Sequence, residues 1–184
     1  MHKYIEVCEL FNKLESIQSR NEMSLELANF FKECSSFEIQ IISYMIQGRV
    51  APMFVSSEFN YSEKSLINVL SNKYDIDVDS MRKESGDIGD TVFQIMESIQ
   101  SNSKSPTLEE IYSILWEIVN TSGNGSISRK NQVILQCLDM LSPLEGKYFV
   151  RIICGELRLG LSVRSLLDVF SISIMGDKSI KSEL

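Results

Sequence analysis

Apolar residues recur at three- and four-residue steps along most of the chain, whereas period-two alternation never lasts beyond a few residues. The first such face consists of Val7, Leu10, Phe11, Leu14 and Ile17. Because a helix turns once every 3.6 residues, this spacing places the apolar side chains on one face of an amphipathic helix. The pattern predicts an all-α fold.

Capping sequences mark where several of these helices begin. Ser35, Thr107 and Ser142 are each followed three residues later by a glutamate, which is the arrangement of a capping box. Gly48 is expected to close the helix that starts after Ser35, because glycine adopts the left-handed conformation common at helix ends. Other stretches with helical spacing are residues 27–31, residues 62–72 and a short segment after Asp79-Ser80.

The length of 184 residues suits one large domain or two small helical lobes that share a core. The polar stretch Ser101-Asn102-Ser103-Lys104-Ser105 predicts a hinge between lobes near residues 101–106. Residues 172–184 are interpreted as the start of a linker or helix. No apolar run is long enough to cross a bilayer, and the N-terminus becomes acidic within a few residues, so a cytoplasmic protein is expected.

The net charge of −7 at first argues against a nucleic-acid partner, but the charge is unevenly distributed. Residues 1–122 carry ten Lys and Arg against nineteen Asp and Glu, whereas residues 123–168 carry six against four. Binding depends on the potential at the contacting face rather than on the global charge. The section 123–168 is therefore the candidate for an anionic partner, although its cations could equally lie on solvated helix faces.

Residues for catalysis are missing from the sequence. The one histidine is His2, at the chain end, and neither a phosphate-binding GxxxxGK[ST] loop nor a GxGxxG motif occurs. Asp75, Asp77 and Asp79 alternate as in a calcium loop, but the required glycine is absent, so a solvated acidic turn is expected. We predict no catalytic residue, no metal site and no cofactor in this chain.

Three glycine turns each precede a predicted helix: residues 86–89, residues 123–130 and residues 155–162. A helix N-terminus offers free backbone N–H groups and a partial positive charge, which together suit a phosphate. Glycine lets the backbone approach a ligand, and serine or lysine nearby adds a donor. Two of the three turns fall in the basic section. Contacts of this kind would hold nucleic acid without reading its sequence, although glycine and serine also suit ordinary helix connections.

The order of segments resembles the N-terminal DNA-binding domain of ATP-dependent DNA ligases of the archaeal and eukaryotic replicative class. The resemblance covers roughly residues 4–171. It rests on Phe11-Asn12-Lys13-Leu14-Glu15 with Ser19-Arg20, Gly48-Arg49-Val50-Ala51-Pro52, Gly86-Asp87-Ile88-Gly89, Gly123-Asn124-Gly125-Ser126, and the segment from Glu145-Gly146-Lys147-Tyr148 to Leu157-Arg158-Leu159-Gly160.

This resemblance implies a two-lobed helical domain, residues 1–171, that binds nicked duplex DNA through its minor groove and phosphates. It also implies a monomer whose parent enzyme carries a nucleotidyltransferase domain and an OB-fold domain and uses ATP and Mg²⁺. The family's adenylated Lys-x-Asp-Gly motif does not occur in this sequence, so the chain is interpreted as a fragment without ligase activity of its own. The DNA-binding residues that the resemblance and the turns indicate are Arg20, Gly86, Asp87, Gly125, Ser126, Ser128, Lys130, Gly155, Arg158, Gly160 and Ser162.

Two positions depart from the family pattern. Glu156 stands where this class often has a basic residue, and Asp90 adds an acid near the expected DNA face. Both are expected to weaken binding. The 86–89 turn also has a structural interpretation, because Asp87 could cap the following helix. The rival to the DNA-binding hypothesis is a non-catalytic helical module that binds other proteins.

Overall fold

The computed structural model describes residues 1–99, 103–155, 157–180 and 182. These residues form ten α-helices and no β-strand. The helices are α1 (Tyr4–Ser16), α2 (Arg20–Phe31), α3 (Ser36–Ile46), α4 (Glu63–Tyr74), α5 (Val78–Ser85), α6 (Ile88–Ser98), α7 (Leu108–Asn120), α8 (Ser126–Leu138), α9 (Pro143–Ile153) and α10 (Val163–Met175). The predicted all-α fold is confirmed.

The helix starts follow the capping sequences. All three predicted capping boxes form, at the starts of α3, α7 and α9. Helix α5 begins at Val78, earlier than its apolar pattern indicates, because Asp77 caps it by accepting a hydrogen bond from Ser80 N at 3.1 Å. Asp75 takes the left-handed conformation that closes α4. The acidic stretch before α5 therefore ends one helix and starts the next.

Helix α9 lies at the centre of the domain. Every residue from Glu145 to Ile153 is buried, and the buried apolar side chains of the described helices form a single cluster around it. Two glycines let α6 and α9 approach closely. A Cβ on Gly89 of α6 would lie 2.5 Å from Nε of Arg151, and a Cβ on Gly146 of α9 would lie 2.2 Å from Sδ of Met96. Each glycine thus makes room for a side chain of the other helix.

The segment before α7 is attached to both halves of the chain. Tyr4 N donates to the Pro106 carbonyl at 2.9 Å, and Lys104 N donates to the Met140 carbonyl at 2.9 Å. Of the predicted hinge, residues 101 and 102 lie outside the described residues, so the division into two lobes stays a prediction. Within the described part of the chain, no helix is both long and apolar enough to span a membrane.

The last helix passes the predicted end of the domain. Residues 172–175 are the final turn of α10, which Gly176 closes with φ +81°. Lys178 then folds back to donate to Asn21 Oδ1 at 2.8 Å and to pair with Asp168 at 3.1 Å. This part of the predicted linker or helix therefore contacts α2 and α10 through Lys178.

Candidate nucleic-acid interface

The 123–130 turn leaves the N-terminus of α8 without a side-chain cap. Gly125 is the N-cap residue with φ +72°, a conformation that disfavours a larger residue. Arg129 stiffens the turn by donating to the Asn124 carbonyl at 2.8 Å and to the Ser122 carbonyl at 2.7 Å. Ser126 is half-buried and Ser128 is exposed. Ser126 N donates to the Gly123 carbonyl at 3.1 Å, so the N–H groups of the first turn of α8 that have no partner within the described residues are those of Ile127 and Ser128.

Lys130 points inward. Only 3% of the residue is exposed, and Nζ donates to the Phe59 carbonyl. Burial lowers the pKa of Lys130. In this conformation the ammonium fastens the loop that contains Phe59 to the first turn of α8 and is not presented to an external phosphate.

The 155–162 turn presents alternate residues to solvent. Leu157 and Leu159 are buried, whereas Gly155, Arg158 and Gly160 are exposed, and all three exposed residues have positive φ. Leucine anchors on either side therefore hold Arg158 outward on a constrained backbone. Glu156, the predicted departure in this turn, lies outside the described residues.

Ser162 ends this turn and starts α10. Its Oγ accepts a hydrogen bond from Ser165 N at 3.2 Å, so the hydroxyl serves as the N-cap of α10. Arg164 is exposed in the first turn of α10. It lines a shallow surface cavity together with Lys178. A second exposed guanidinium therefore follows Arg158 at short distance along the chain.

The 86–89 turn is a structural junction. Gly86 closes α5 with φ +74°, and Asp87 caps α6 by accepting from Asp90 N at 2.9 Å. The structural interpretation of Asp87 as a helix cap is confirmed. Asp87 also receives both Nε and Nη2 of Arg151, at 2.9 and 2.8 Å. The exposed Arg158 lies against the same turn, with Nε 3.5 Å from Asp87 Oδ2 and Nη1 3.4 Å from the Gly86 carbonyl.

An ion-pair network extends from this junction to α1. Glu15 accepts from Tyr148 Oη at 2.7 Å and pairs with Arg151 at 3.0 Å and Lys147 at 3.2 Å. Burial alone would raise the pKa of Glu15, but hydrogen bonds from Arg151 and Tyr148 outweigh it, and the pKa is lowered. Asp90 pairs with Lys147 at 3.0 Å. The negative charge of Asp90, expected to repel DNA, is therefore locally compensated.

The basic section contributes less surface charge than its sequence indicates. Lys130, Lys147 and Arg151 are all at least nine-tenths buried, so half of its six cations face inward. Two of these, Lys147 and Arg151, compensate carboxylates of α1 and of the start of α6. The exposed cations of the section are Arg129, Arg158 and Arg164.

Arg20 is the first residue of α2 and is exposed. It makes no ion pair or hydrogen bond through its side chain within the described residues. The neighbouring Asn21 contacts Lys178 after the end of α10. Helix packing therefore brings the Arg20 region beside α10.

A loop that the sequence did not single out as a site connects the candidate turns. The 48–61 loop begins at Gly48, whose added Cβ would lie 3.1 Å from Gly155 Cα, so the two backbones nearly touch. Near its other end, Phe59 and Tyr61 contact α8 through Lys130 and through Asn131, which accepts from Tyr61 Oη at 2.6 Å. The loop thus contacts both turns of the basic section. Its signal in the sequence was Gly48-Arg49-Val50-Ala51-Pro52, which the resemblance included without assigning it a role.

The comparisons with known proteins agree with this architecture. The family described as "DNA ligase N terminus" matches residues 3–171. The chain belongs to this DNA ligase N-terminal family. The ligase N-terminal domain described here is 35% identical over 179 residues to a "Probable DNA ligase" of Dictyoglomus turgidum, with 96% of this chain and 30% of that protein covered.

Other relatives give the same result. A "DNA ligase 1" of Methanosarcina acetivorans is 32% identical, with 97% of this chain and 31% of that protein covered, and a "DNA ligase" of Acidianus ambivalens is 33% identical, with 95% and 32% covered. The chain thus spans about 30% of the length of these relatives. The predicted archaeal type fits, although bacterial proteins also appear among the relatives.

Proposed function

We propose that this ligase N-terminal domain binds nicked duplex DNA without sequence preference, through the minor groove and the phosphates. In this proposal it acts as a monomer within an ATP-dependent DNA ligase of replication and repair. A nucleotidyltransferase domain and an OB-fold domain of the same protein supply the chemistry with ATP and Mg²⁺. None of the residues described above has a catalytic role.

The observation that carries the proposal is the 155–162 turn. Gly155, Arg158 and Gly160 are exposed with positive φ, and the guanidinium of Arg158 is held outward between the buried Leu157 and Leu159. A rigid backbone with small exposed residues allows the close approach that a narrow groove requires. Arginine and the N-terminal N–H groups of the following helix suit phosphate oxygens.

The other proposed contacts have different roles. Gly125, Ser126 and Ser128 present the free N-terminus of α8 to a second phosphate, and Arg20 contacts the backbone from the side of α2. Lys130 and Asp87 act from beneath the surface in our proposal, and Gly86 acts by shaping the turn that supports Arg158. Lys130 fixes the 48–61 loop to α8, and the 86–89 turn supports Arg158.

The test is a binding titration with nicked duplex at two salt concentrations. Neutralising a phosphate releases counterions, so the affinity of a DNA-binding domain falls steeply as salt rises. Arg158→Ala should weaken binding about equally for unrelated sequences and reduce the slope of log affinity against log salt by about one. Lys64→Ala, an exposed change on α4, should have little effect.

Two results would contradict the proposal. Absence of salt-dependent binding by the unaltered domain would favour the rival protein-interaction module. Equal losses for Lys64→Ala and Arg158→Ala would show that the 155–162 turn is an ordinary helix connection.

A further inference from the structure

The most exposed large apolar side chains of the described residues lie side by side at the tip of the 48–61 loop. Phe54 is 89% exposed and Met53 is 73% exposed. They occupy the two central positions of a tight turn that is closed by a hydrogen bond from Val55 N to the Pro52 carbonyl at 2.9 Å. Burying an aromatic ring lowers the free energy of the protein, and an exposed ring lacks this stabilisation. We therefore expect a partner surface to cover this tip.

The tip is held in place by its own loop. Arg49 donates to the Ala51 carbonyl and to the Val55 carbonyl, each at 3.3 Å, and so joins the two sides of the turn. Val50 is fully buried, and its carbonyl accepts from Tyr112 Oη at 2.6 Å. A tip fixed in this way loses little conformational entropy when it binds.

The loop that carries the tip also connects the two candidate turns. The loop starts against Gly155 of the 155–162 turn. It ends on α8, which begins in the 123–130 turn. Arg49 and Glu58 are the only charged residues between positions 48 and 61, so the loop itself adds no net charge. Duplex held by both turns would meet an apolar tip between the two sets of phosphate contacts.

We propose that Met53 and Phe54 form an apolar wedge that enters the minor groove of the bound duplex and inserts between base pairs. This inference rests on the proposed function. Minor-groove proteins use Phe and Met in this manner, because partial unstacking of a base step is offset by burial of the side chain. The wedge would contribute affinity that does not depend on salt, in contrast to the arginines.

The experiment compares Phe54→Ala with the unaltered domain on nicked duplex at two salt concentrations. Burial of a phenylalanine side chain corresponds to a loss of about ten-fold or more in affinity on its removal. The loss should be the same at both salt concentrations, whereas Arg158→Ala should change the salt slope. Phe54→Leu should recover part of the affinity, and Ile174→Ala, at a 64% exposed position on α10, is the matched control.

A second readout tests insertion directly. Duplex that carries 2-aminopurine near the nick should brighten on binding of the unaltered domain and remain dim with Phe54→Ala at saturating protein, because the base fluoresces when it is unstacked. Thermal melting of Phe54→Ala should match that of the unaltered domain, since an exposed ring contributes little to stability.

The outcomes separate the two proposals. If the unaltered domain binds DNA and Phe54→Ala binds equally well, the wedge is refuted and the DNA-binding function stands. If Phe54→Ala weakens binding no more than Ile174→Ala, the wedge is likewise refuted. If the unaltered domain does not bind DNA, both proposals fail together.

Discussion

Single residues decide how the centre of this domain is built. Asp87 and Gly89, two positions apart at the start of α6, together accommodate the buried guanidinium of Arg151. Gly89 leaves space for the stem of Arg151, and Asp87 receives its Nε and Nη2. A buried arginine is tolerated only when its charge and its donors are both satisfied, and here three carboxylates satisfy it. The cap at the start of α6 and the packing of α6 on α9 thus depend on the same two residues.

Gly89→Ala should destabilise the domain by about 1–3 kcal/mol, because the added methyl overlaps the middle of the buried Arg151 side chain, which cannot move aside. Urea denaturation would measure the change. Gln94→Ala, at an exposed position of the same helix, is the matched control and should alter stability little. Equal stability of Gly89→Ala and the control would show that α6 and α9 can separate without loss.

Glu38 should make the domain sensitive to acid. Burial alone would raise its pKa, but hydrogen bonds from His2 N at 2.6 Å and Ser35 N at 2.8 Å outweigh burial and lower the pKa from 4.5 to about 2. A carboxylate whose pKa is lowered on folding stabilises the protein above its unfolded pKa, and this contribution disappears as the pH falls from about 4.5 towards 2. Glu38→Gln should therefore destabilise the domain at pH 7 much more than at pH 3 in urea denaturation. Equal losses at the two pH values would refute this role.

At the scale of elements, α8 shows that the position of a lysine in the sequence does not determine which way its side chain points. The sequence places Lys130 one turn after a glycine turn, which is where a phosphate-binding lysine would lie. The helix directs its side chain under the 48–61 loop, where Nζ reaches the Phe59 carbonyl. The sequence cannot show this, because the partner is a backbone oxygen 71 positions away.

Lys130→Met should destabilise the domain by about 1–3 kcal/mol, since it removes the donor of the Phe59 carbonyl while preserving the aliphatic stem. Differential scanning calorimetry would measure this. The salt slope of DNA binding should stay unchanged when the variant is assayed below its melting temperature. A slope lowered by about one, as expected for Arg158→Ala, would show instead that Lys130 leaves its buried position to bind a phosphate.

For the molecule as a whole, the sequence predicted the class of fold well because helix periodicity and caps are local properties. Three capping boxes and the apolar faces needed no tertiary information. The candidate site was harder to predict, because the sequence does not show whether a charged side chain points to solvent or into the protein. Lys147 and Arg151 lie in the basic section but neutralise Glu15, Asp87 and Asp90 of other elements. The contribution of the 48–61 loop was equally hidden, since its contacts join distant segments.

The domain alone should not form a covalent adduct with AMP. The sequence lacks the Lys-x-Asp-Gly motif that our proposal assigns to the adenylated lysine of the parent enzyme. Incubation with radiolabelled ATP and Mg²⁺, followed by denaturing electrophoresis, should leave the protein unlabelled. A stable labelled band would mean that an adenylated lysine exists outside that motif.

The burial of α9 has a consequence for how the 155–162 turn behaves over time. Amide protons exchange with solvent when a segment opens, and the segments with the most buried contacts open last. Because residues 145–153 are buried without interruption, the backbone of α9 should rank among the slowest to exchange deuterium. The turn begins directly where α9 ends, and Leu157 and Leu159 anchor it in the same cluster. We therefore expect this surface turn to share the slow exchange of α9, so that the backbone that carries Arg158 stays in place while less protected segments open.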